Sequence, residues 1–300
     1  MSYPLSERVK AHLIITMYSL VSLLPLAAIQ WLGRRVGDVM RLFNSRAYQT
    51  TLANITQCFP ELSTAEKLEL AKQSVQATGQ TILETGACWK WSLEKCAAHI
   101  KHIEGEDLFA ERVCDGRGLI LLMPHLSTWE ILHPVLTKHT AFTAMYKPPK
   151  IRPLDSWMQA VRNRTSAVTV PANRKGVSEL IKTLKAGKTI VVLPDQEPER
   201  ESGAFAPFFG VDALTITLIH GLATKSNAQL LLVNAKRLPK AEGFDVQFVD
   251  ANAVNCGSQI ESLTQMNALI EQAVRATPEQ YQWEYKRFKR RPDGGKADFY

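Results

Sequence analysis

Apolar residues recur along the chain in two rhythms. Continuous short runs predict strands near Leu119–Met123, Phe142–Tyr146, Ala167–Val170, Thr189–Leu193, Gln229–Val233 and Asp245–Val249. Helical spacing predicts helices between them, over Trp129–Lys138, Trp157–Arg164, Val177–Ala186, Ala213–Ser226 and Gln259–Ala276. The S-x-x-E pattern Ser258-Gln-Ile-Glu261 caps the last of these. The same pattern at Ser63-Thr-Ala-Glu66 opens an earlier helix reaching roughly Trp91. Alternating strands and helices build βαβ units, so the fold class is α/β, with a mostly parallel central sheet flanked by helices. No internal repeat, low-complexity tract or long linker interrupts this pattern.

The N-terminus departs from it. From Ala11 to Gly33 there is no Asp, Glu, Lys or Arg, and Leu13 to Leu32 is mostly apolar. About twenty helical residues at ~1.5 Å each reach ~30 Å, the depth of a hydrocarbon core. Pro25 and Gln30 interrupt the run, and no small-residue cleavage site follows it. Arg34, Arg35, Arg41 and Arg46 lie behind it, against Arg8 and Lys10 ahead, which favours a cytoplasmic downstream domain. Residues 1–34 are therefore expected to form a membrane-associated segment, spanning or interfacial, and residues 35–300 a single domain. An apolar core helix is the competing reading.

Charge narrows the partners. The 300 residues carry a net charge of +7 and a pI near 9.1, which favours anionic lipid, nucleic acid or an acidic protein. Much of the excess sits in Lys286-Arg-Phe-Lys-Arg-Arg291. Without an RNP sequence or paired Cys/His spacing, no nucleic acid is expected. Five scattered cysteines with no C-x-x-C argue for a reducing compartment and against a metal site. The absence of G-x-G-x-x-G and P-loop patterns argues against a nucleotide cofactor.

Two strand ends carry candidate chemistry. In Gly118-Leu-Ile-Leu-Leu-Met-Pro124-His125 an apolar run stops at proline and a histidine follows, with Glu130 five positions on. An imidazole held by a carboxylate can take a proton from a hydroxyl near neutral pH. The competing view makes Ser127-Thr-Trp-Glu130 a capping box and His125 a satisfied histidine. Thr189-Ile-Val-Val-Leu-Pro194-Asp195-Gln196-Glu197 repeats the pattern, and ligands of open α/β sheets bind beyond such ends. Arg162-Asn-Arg164 offers guanidinium groups for a phosphate or an oxyanion. Phe208 and Phe209 read either as groove lining or as core.

Taken in order, these motifs resemble the bacterial late acyltransferases of lipid A biosynthesis. The likeness runs from about Leu24 to Tyr300 and includes Asn54-Ile-Thr-Gln-Cys-Phe-Pro-Glu61, Leu83-Glu84, Trp89, Tyr146-Lys-Pro, Leu184-Lys-Ala-Gly187, Pro207-Phe-Phe-Gly210 and Tyr281-Gln-Trp283. The family's usual H-x-G-N-W-E appears here as His125-Leu-Ser-Thr-Trp-Glu130, and its usual tail histidine is replaced by Glu284-Tyr285.

The resemblance implies a glycerol-3-phosphate acyltransferase-like fold with one N-terminal membrane helix at the cytoplasmic face of the bacterial inner membrane. It also implies acyl transfer from acyl carrier protein to a hydroxyl of a phosphorylated lipid A precursor. On this reading His125 is the general base and Glu130 fixes its tautomer. Arg164, or else Arg162, stabilises the oxyanion or a phosphate. Asp195 and Gln196 position the acceptor, and Phe208 and Phe209 line the acyl groove. No acyl-enzyme, metal or cofactor enters, and the partners are acyl carrier protein, the lipid A precursor and the anionic inner membrane. Two rivals remain: an acyl-coenzyme A-dependent phospholipid or glycolipid acyltransferase, and an inactive membrane scaffold of the same fold.

Overall fold

The structure, a computed structural model, describes residues 3–162, 164, 167–255 and 257–300. Four helices lead the chain: α1 (Leu5–Val21), α2 (Leu26–Leu42), α3 (Arg46–Cys58) and α4 (Thr64–Lys90). Then follow α5 (Leu93–Ala98), β1 (Ile100–Glu104), α6 (Glu106–Cys114), β2 (Leu119–Leu122), α7 (His133–His139) and β3 (Phe142–Tyr146). The middle of the chain forms α8 (Pro153–Arg162), β4 (Val168–Pro171), α9 (Arg174–Lys185), β5 (Thr189–Val192), β6 (Gly203–Phe208) and β7 (Val211–Ile216). The last elements are α10 (Leu218–Ser226), β8 (Gln229–Arg237), β9 (Phe244–Asp250) and α11 (Gln259–Ala276).

Seven strands make one sheet in the order β1-β9-β8-β2-β5-β3-β4. Every neighbouring pair is parallel except β8 and β9. The expected α/β architecture with a mostly parallel sheet is thus observed. Successive residues of the central strands face opposite sides. Ile120, Leu122, Ile190, Val192, Leu230 and Leu232 pack toward α9, α10, α11 and the C-terminal tail. Leu119, Leu121, Val191, Leu231 and Val233 pack on the side of α4, α6 and α7.

Ser63 and Glu66 form the expected capping box on α4, and Ser258 and Glu261 do so on α11. Three expectations need correction. Ala213–Ile216 is the second strand of a β6/β7 hairpin, and helix begins only at Leu218. Its apolar positions fit either period, and the turn decides: Phe209 and Gly210 both take positive φ, the geometry of a tight hairpin. Strand β1 and α6 were not anticipated, because Ile100-Lys-His-Ile-Glu104 mixes apolar and polar residues without clean alternation.

The third concerns the apolar N-terminal run, which is not one long helix. α1 ends at Val21, the backbone turns through Ser22–Leu24, and Pro25 caps α2. Proline supplies no N–H to continue a helical ladder. Among the described residues, no helix is long and apolar enough to cross a membrane.

α2 lies unusually close to α4 because glycines meet at the crossing. A Cβ on Gly33 would sit 2.4 Å from the Gln80 Cα, and one on Gly79 2.2 Å from the Gly33 carbonyl oxygen. Gly33→Val is therefore expected to push the helices apart and cost about 1–3 kcal/mol in denaturant unfolding. Gly221→Ala, in α10 with no atom near the added methyl, is expected to be neutral or stabilising by up to ~1 kcal/mol.

Candidate active site

Parallel pairing of β2 and β5 sets the site. Leu119 to Leu122 stand opposite Thr189 to Val192, and Met123 N–H extends the ladder to the Val192 carbonyl at 3.0 Å. Each strand then leaves the sheet through a proline, so His125 and Asp195 emerge side by side. The Asp195 carboxylate accepts from the His125 backbone N–H at 2.8 Å and meets the ring Nδ1 at 2.8 Å. Asp195 is 2 % exposed. Burial pushes its carboxyl up, but the His125 charge and its ring and backbone hydrogen bonds outweigh that and hold it below the ordinary aspartate value. An ionised carboxylate can only accept, so Nδ1 carries the proton, and the nitrogen left to exchange one is Nε2. The Gln196 amide nitrogen rests 3.3 Å from Nε2 and also donates to Gln282 Oε1 at 3.2 Å.

The expected brace from Glu130 to His125 is not the one observed. The ring pairs with Asp195 beyond the end of β5, whereas Glu130 sits in a 3-10 turn, Trp129–Leu132, and bonds elsewhere. Its carboxylate accepts from Arg162 at 2.9 Å and approaches His133 Nε2 at 3.7 Å. Burial raises this carboxyl, but Arg162 and His133 outweigh that and hold it below the ordinary glutamate value. Burial also lowers the His133 imidazole. Glu130 is not a cap either: the 3-10 turn has no side-chain cap, and the buried Ser127 hydroxyl has no hydrogen-bond partner among the described residues.

The two arginines are placed differently. Arg164 donates to the carbonyls of Cys88 at 3.2 Å and Trp91 at 3.0 Å, satisfying the C-terminal end of α4. Arg162 instead borders the cavity, with its guanidinium 5.2 Å from the Tyr146 ring centre. Asp195 is engaged by His125 rather than open to an acceptor. Phe208 and Phe209 are 1 % and 5 % exposed, and they stack among Phe59, Tyr281, Trp283 and Phe288 in the core. Glu197 pairs with Arg290 at 3.0 Å and so ties down the tail.

Two lobes meet at His125, Trp129, Glu130, Met158 and Arg162. One, of about 310 Å³, runs between apolar walls that include Leu132, Leu136, Phe142, Met145 and Val191. The other, of about 300 Å³, is lined by Tyr18, Thr78, Thr81, Trp89, Gln282 and Glu284. Glu284 accepts from the Thr78 hydroxyl at 3.0 Å, and burial pushes its carboxyl up.

A buried layer that single-sequence reading missed supports the loop. Arg237 donates to the Glu84 carboxylate at 2.6 Å and 2.8 Å, Gln30 adds a bond at 2.8 Å, and the Thr128 hydroxyl donates to the same carboxylate. Glu84 and Arg237 lie 153 residues apart, and no local pattern links them. The tail closes from the other side: Ser127 N–H donates to the Gln280 carbonyl at 2.8 Å, and Gln282 N–H to the His125 carbonyl at 3.2 Å. Asn54 of α3 holds that tail by donating to the Trp283 and Tyr285 carbonyls at 2.7 Å and 2.8 Å.

Residues 3–290 match the model of a family described as bacterial lipid A biosynthesis acyltransferase. The chain is 28% identical over 280 residues to the lipid A biosynthesis lauroyltransferase of Escherichia coli (strain K12), covering 92% of this chain and 90% of that protein. It is 27% identical over 272 residues to the palmitoleoyltransferase of the same organism, covering 90% and 88%. Similarity to that organism's lipid A biosynthesis myristoyltransferase is 24% over 267 residues, covering 88% and 80%.

Two outcomes follow from these electrostatics. Arg237→Met leaves Glu84 charged and buried without its main partner, so unfolding free energy should fall by about 3–5 kcal/mol in denaturant titrations. Glu284 binds its proton more tightly folded than unfolded. The wild type should therefore lose stability relative to Glu284→Gln as pH rises from about 4.5 through the folded value, then level off. Paired melts across that range read the difference directly.

Proposed function

The chain belongs to the bacterial lipid A biosynthesis acyltransferases, and on that footing we propose that it transfers a fatty acyl chain from an acyl carrier protein thioester to a hydroxyl of a lipid A precursor. The observation that carries this reading is a carboxylate-braced histidine at the junction of two lobes, the first walled by apolar side chains. The first lobe takes the acyl chain, and the second, where Thr78, Thr81, Gln282 and Glu284 offer polar groups, presents the acceptor hydroxyl.

His125 Nε2 takes the hydroxyl proton as the oxygen attacks the thioester carbonyl carbon, and Asp195 balances the imidazolium that forms. Arg162, oriented by Glu130, faces the junction and stabilises the oxyanion. As the carbonyl re-forms, the C–S bond breaks and the imidazolium returns its proton to the departing thiolate. No acyl-enzyme is required, and the buried, unpartnered Ser127 hydroxyl is no nucleophile.

The two N-terminal helices support placement at the cytoplasmic face of the inner membrane. Leu5, Leu13, Leu20 and Leu23 of the first helix and its turn are exposed, as are Trp31, Val39, Leu42 and Phe43 beyond it. Arg34, Arg35 and Arg41 stand among the latter. Exposed apolar side chains beside arginines suit helices lying in an anionic interface rather than crossing it.

Mass spectrometry of purified protein with lipid A precursor, offered acyl carrier protein thioester or acyl-coenzyme A, tests both activity and donor. Transfer from the coenzyme A thioester alone would reject the donor assignment, and no transfer from either would reject the function. His125→Ala and Asp195→Asn are expected to lower turnover by about 10²–10⁴-fold with folding retained. Ser127→Ala is expected to stay near wild type, with no acylated protein trapped. Near-normal turnover in Asp195→Asn would reject the dyad.

A further inference from the structure

A third concavity borders both lobes without belonging to either. It is an open basin of about 820 Å³ that includes Arg46, Lys147, Lys150, Lys286, Lys289 and Lys296. Lys147 also lines the first lobe, and Glu284 also lines the second. The basin therefore opens directly beside the place where acceptor and donor meet. Its cations come from three separated stretches: the start of α3, the loop after β3, and the C-terminal tail.

None of the six has a carboxylate within 4.0 Å among the described residues. Nearby in the tail, Arg290 by contrast pairs with Glu197 and Glu199. Lys286 instead packs its ammonium 4.6 Å from the centre of the Tyr300 ring. Six like charges around one hollow repel one another, an arrangement favoured only when an anion enters. Among the described residues that line it, the one acid is Glu284, whose carboxyl burial pushes up.

We propose that this basin binds a phosphate monoester of the acceptor lipid and so holds the sugar with its reactive hydroxyl toward His125. The inference rests on the acceptor being a phosphorylated lipid. Shape and position favour this occupant over the acidic surface of a carrier protein. A carrier protein delivers its thioester on a long flexible arm and docks away from the reacting atoms, on a broad face. A phosphate and a hydroxyl of one small sugar unit must instead lie close together. A concavity that touches both lobes meets that requirement, and ammonium groups bind phosphate as point charges.

The test measures binding rather than turnover, so it stands or falls independently of acyl transfer. A glucosamine disaccharide lipid carrying phosphate monoesters, and the same lipid after phosphatase treatment, are titrated into the full chain in neutral detergent micelles. The wild type is expected to bind the phosphorylated lipid at least about tenfold more tightly, a gap that narrows as salt is added. Combining Lys147→Gln, Lys150→Gln, Lys289→Gln and Lys296→Gln should bring the ratio close to one, while K147R/K150R/K289R/K296R should retain most of it. Equal wild-type binding of the two lipids, or an unchanged ratio in the glutamine variant, would overturn the proposal. Loss of acyl carrier protein binding in that variant with the lipid ratio intact would overturn it too, and reassign the basin to the donor.

Discussion

The register between β2 and β5 is the constraint from which the rest of the site follows. Leu119 faces Thr189, and the same offset of 70 residues carries through to the contact between His125 and Asp195. A slip of one residue would turn every side chain of a strand to the opposite face. Ile120 and Leu122 would then exchange places with Leu119 and Leu121, and the imidazole would lose its carboxylate. Packing on both faces of the sheet thus fixes the pairing of His125 with Asp195: the same apolar contacts that stabilise the centre of the fold determine which ring nitrogen meets the carboxylate.

Around that pair, charge is buried in layers. Glu130 and Arg162 pair at the edge of the cavity, while Glu84 and Arg237 pair behind the loop and hold Thr128. Desolvating four such groups is costly, and it is offset only because each is met by more than one partner. The loop between His125 and Glu130 has little regular structure of its own, and Ser127 within it adopts φ of 55°. Its shape is imposed from outside by α4, β8 and the tail. The departure from the family's usual loop at Ser127 and Thr128 falls where these supports are densest: Thr128 joins the Glu84 carboxylate and Ser127 is bonded through its backbone to Gln280.

Much of the fold was legible in the chain because the central strands are continuous apolar runs ended by proline, and α11 matched its expected limits. His125 stood out for the same reason. Its partner did not, because the neighbour of β2 is a matter of sheet order, which spacing along one sequence does not encode. The five-residue interval to Glu130 suggested a local pair, whereas the parallel ladder made a distant one. Arg162 and Arg164 are equivalent as text; only the end of α4 separates them, since its exposed carbonyls capture the second. Phe208 and Phe209 read equally as lining or core until the turn of the β6/β7 hairpin placed them beneath α11. The N-terminal run suggested length enough to span a bilayer, but one proline divided it.

The two side chains that touch the His125 ring come from consecutive positions, Asp195 and Gln196. One grips Nδ1 strongly while the other leans on Nε2 at a distance easily surrendered. A short segment thus acts as a caliper on the imidazole, with one rigid jaw and one that yields. On the proposed mechanism an arriving alcohol need displace only the yielding jaw, and the tautomer is already chosen when it does. On the same mechanism that jaw would screen Nε2 from water until the acceptor arrives.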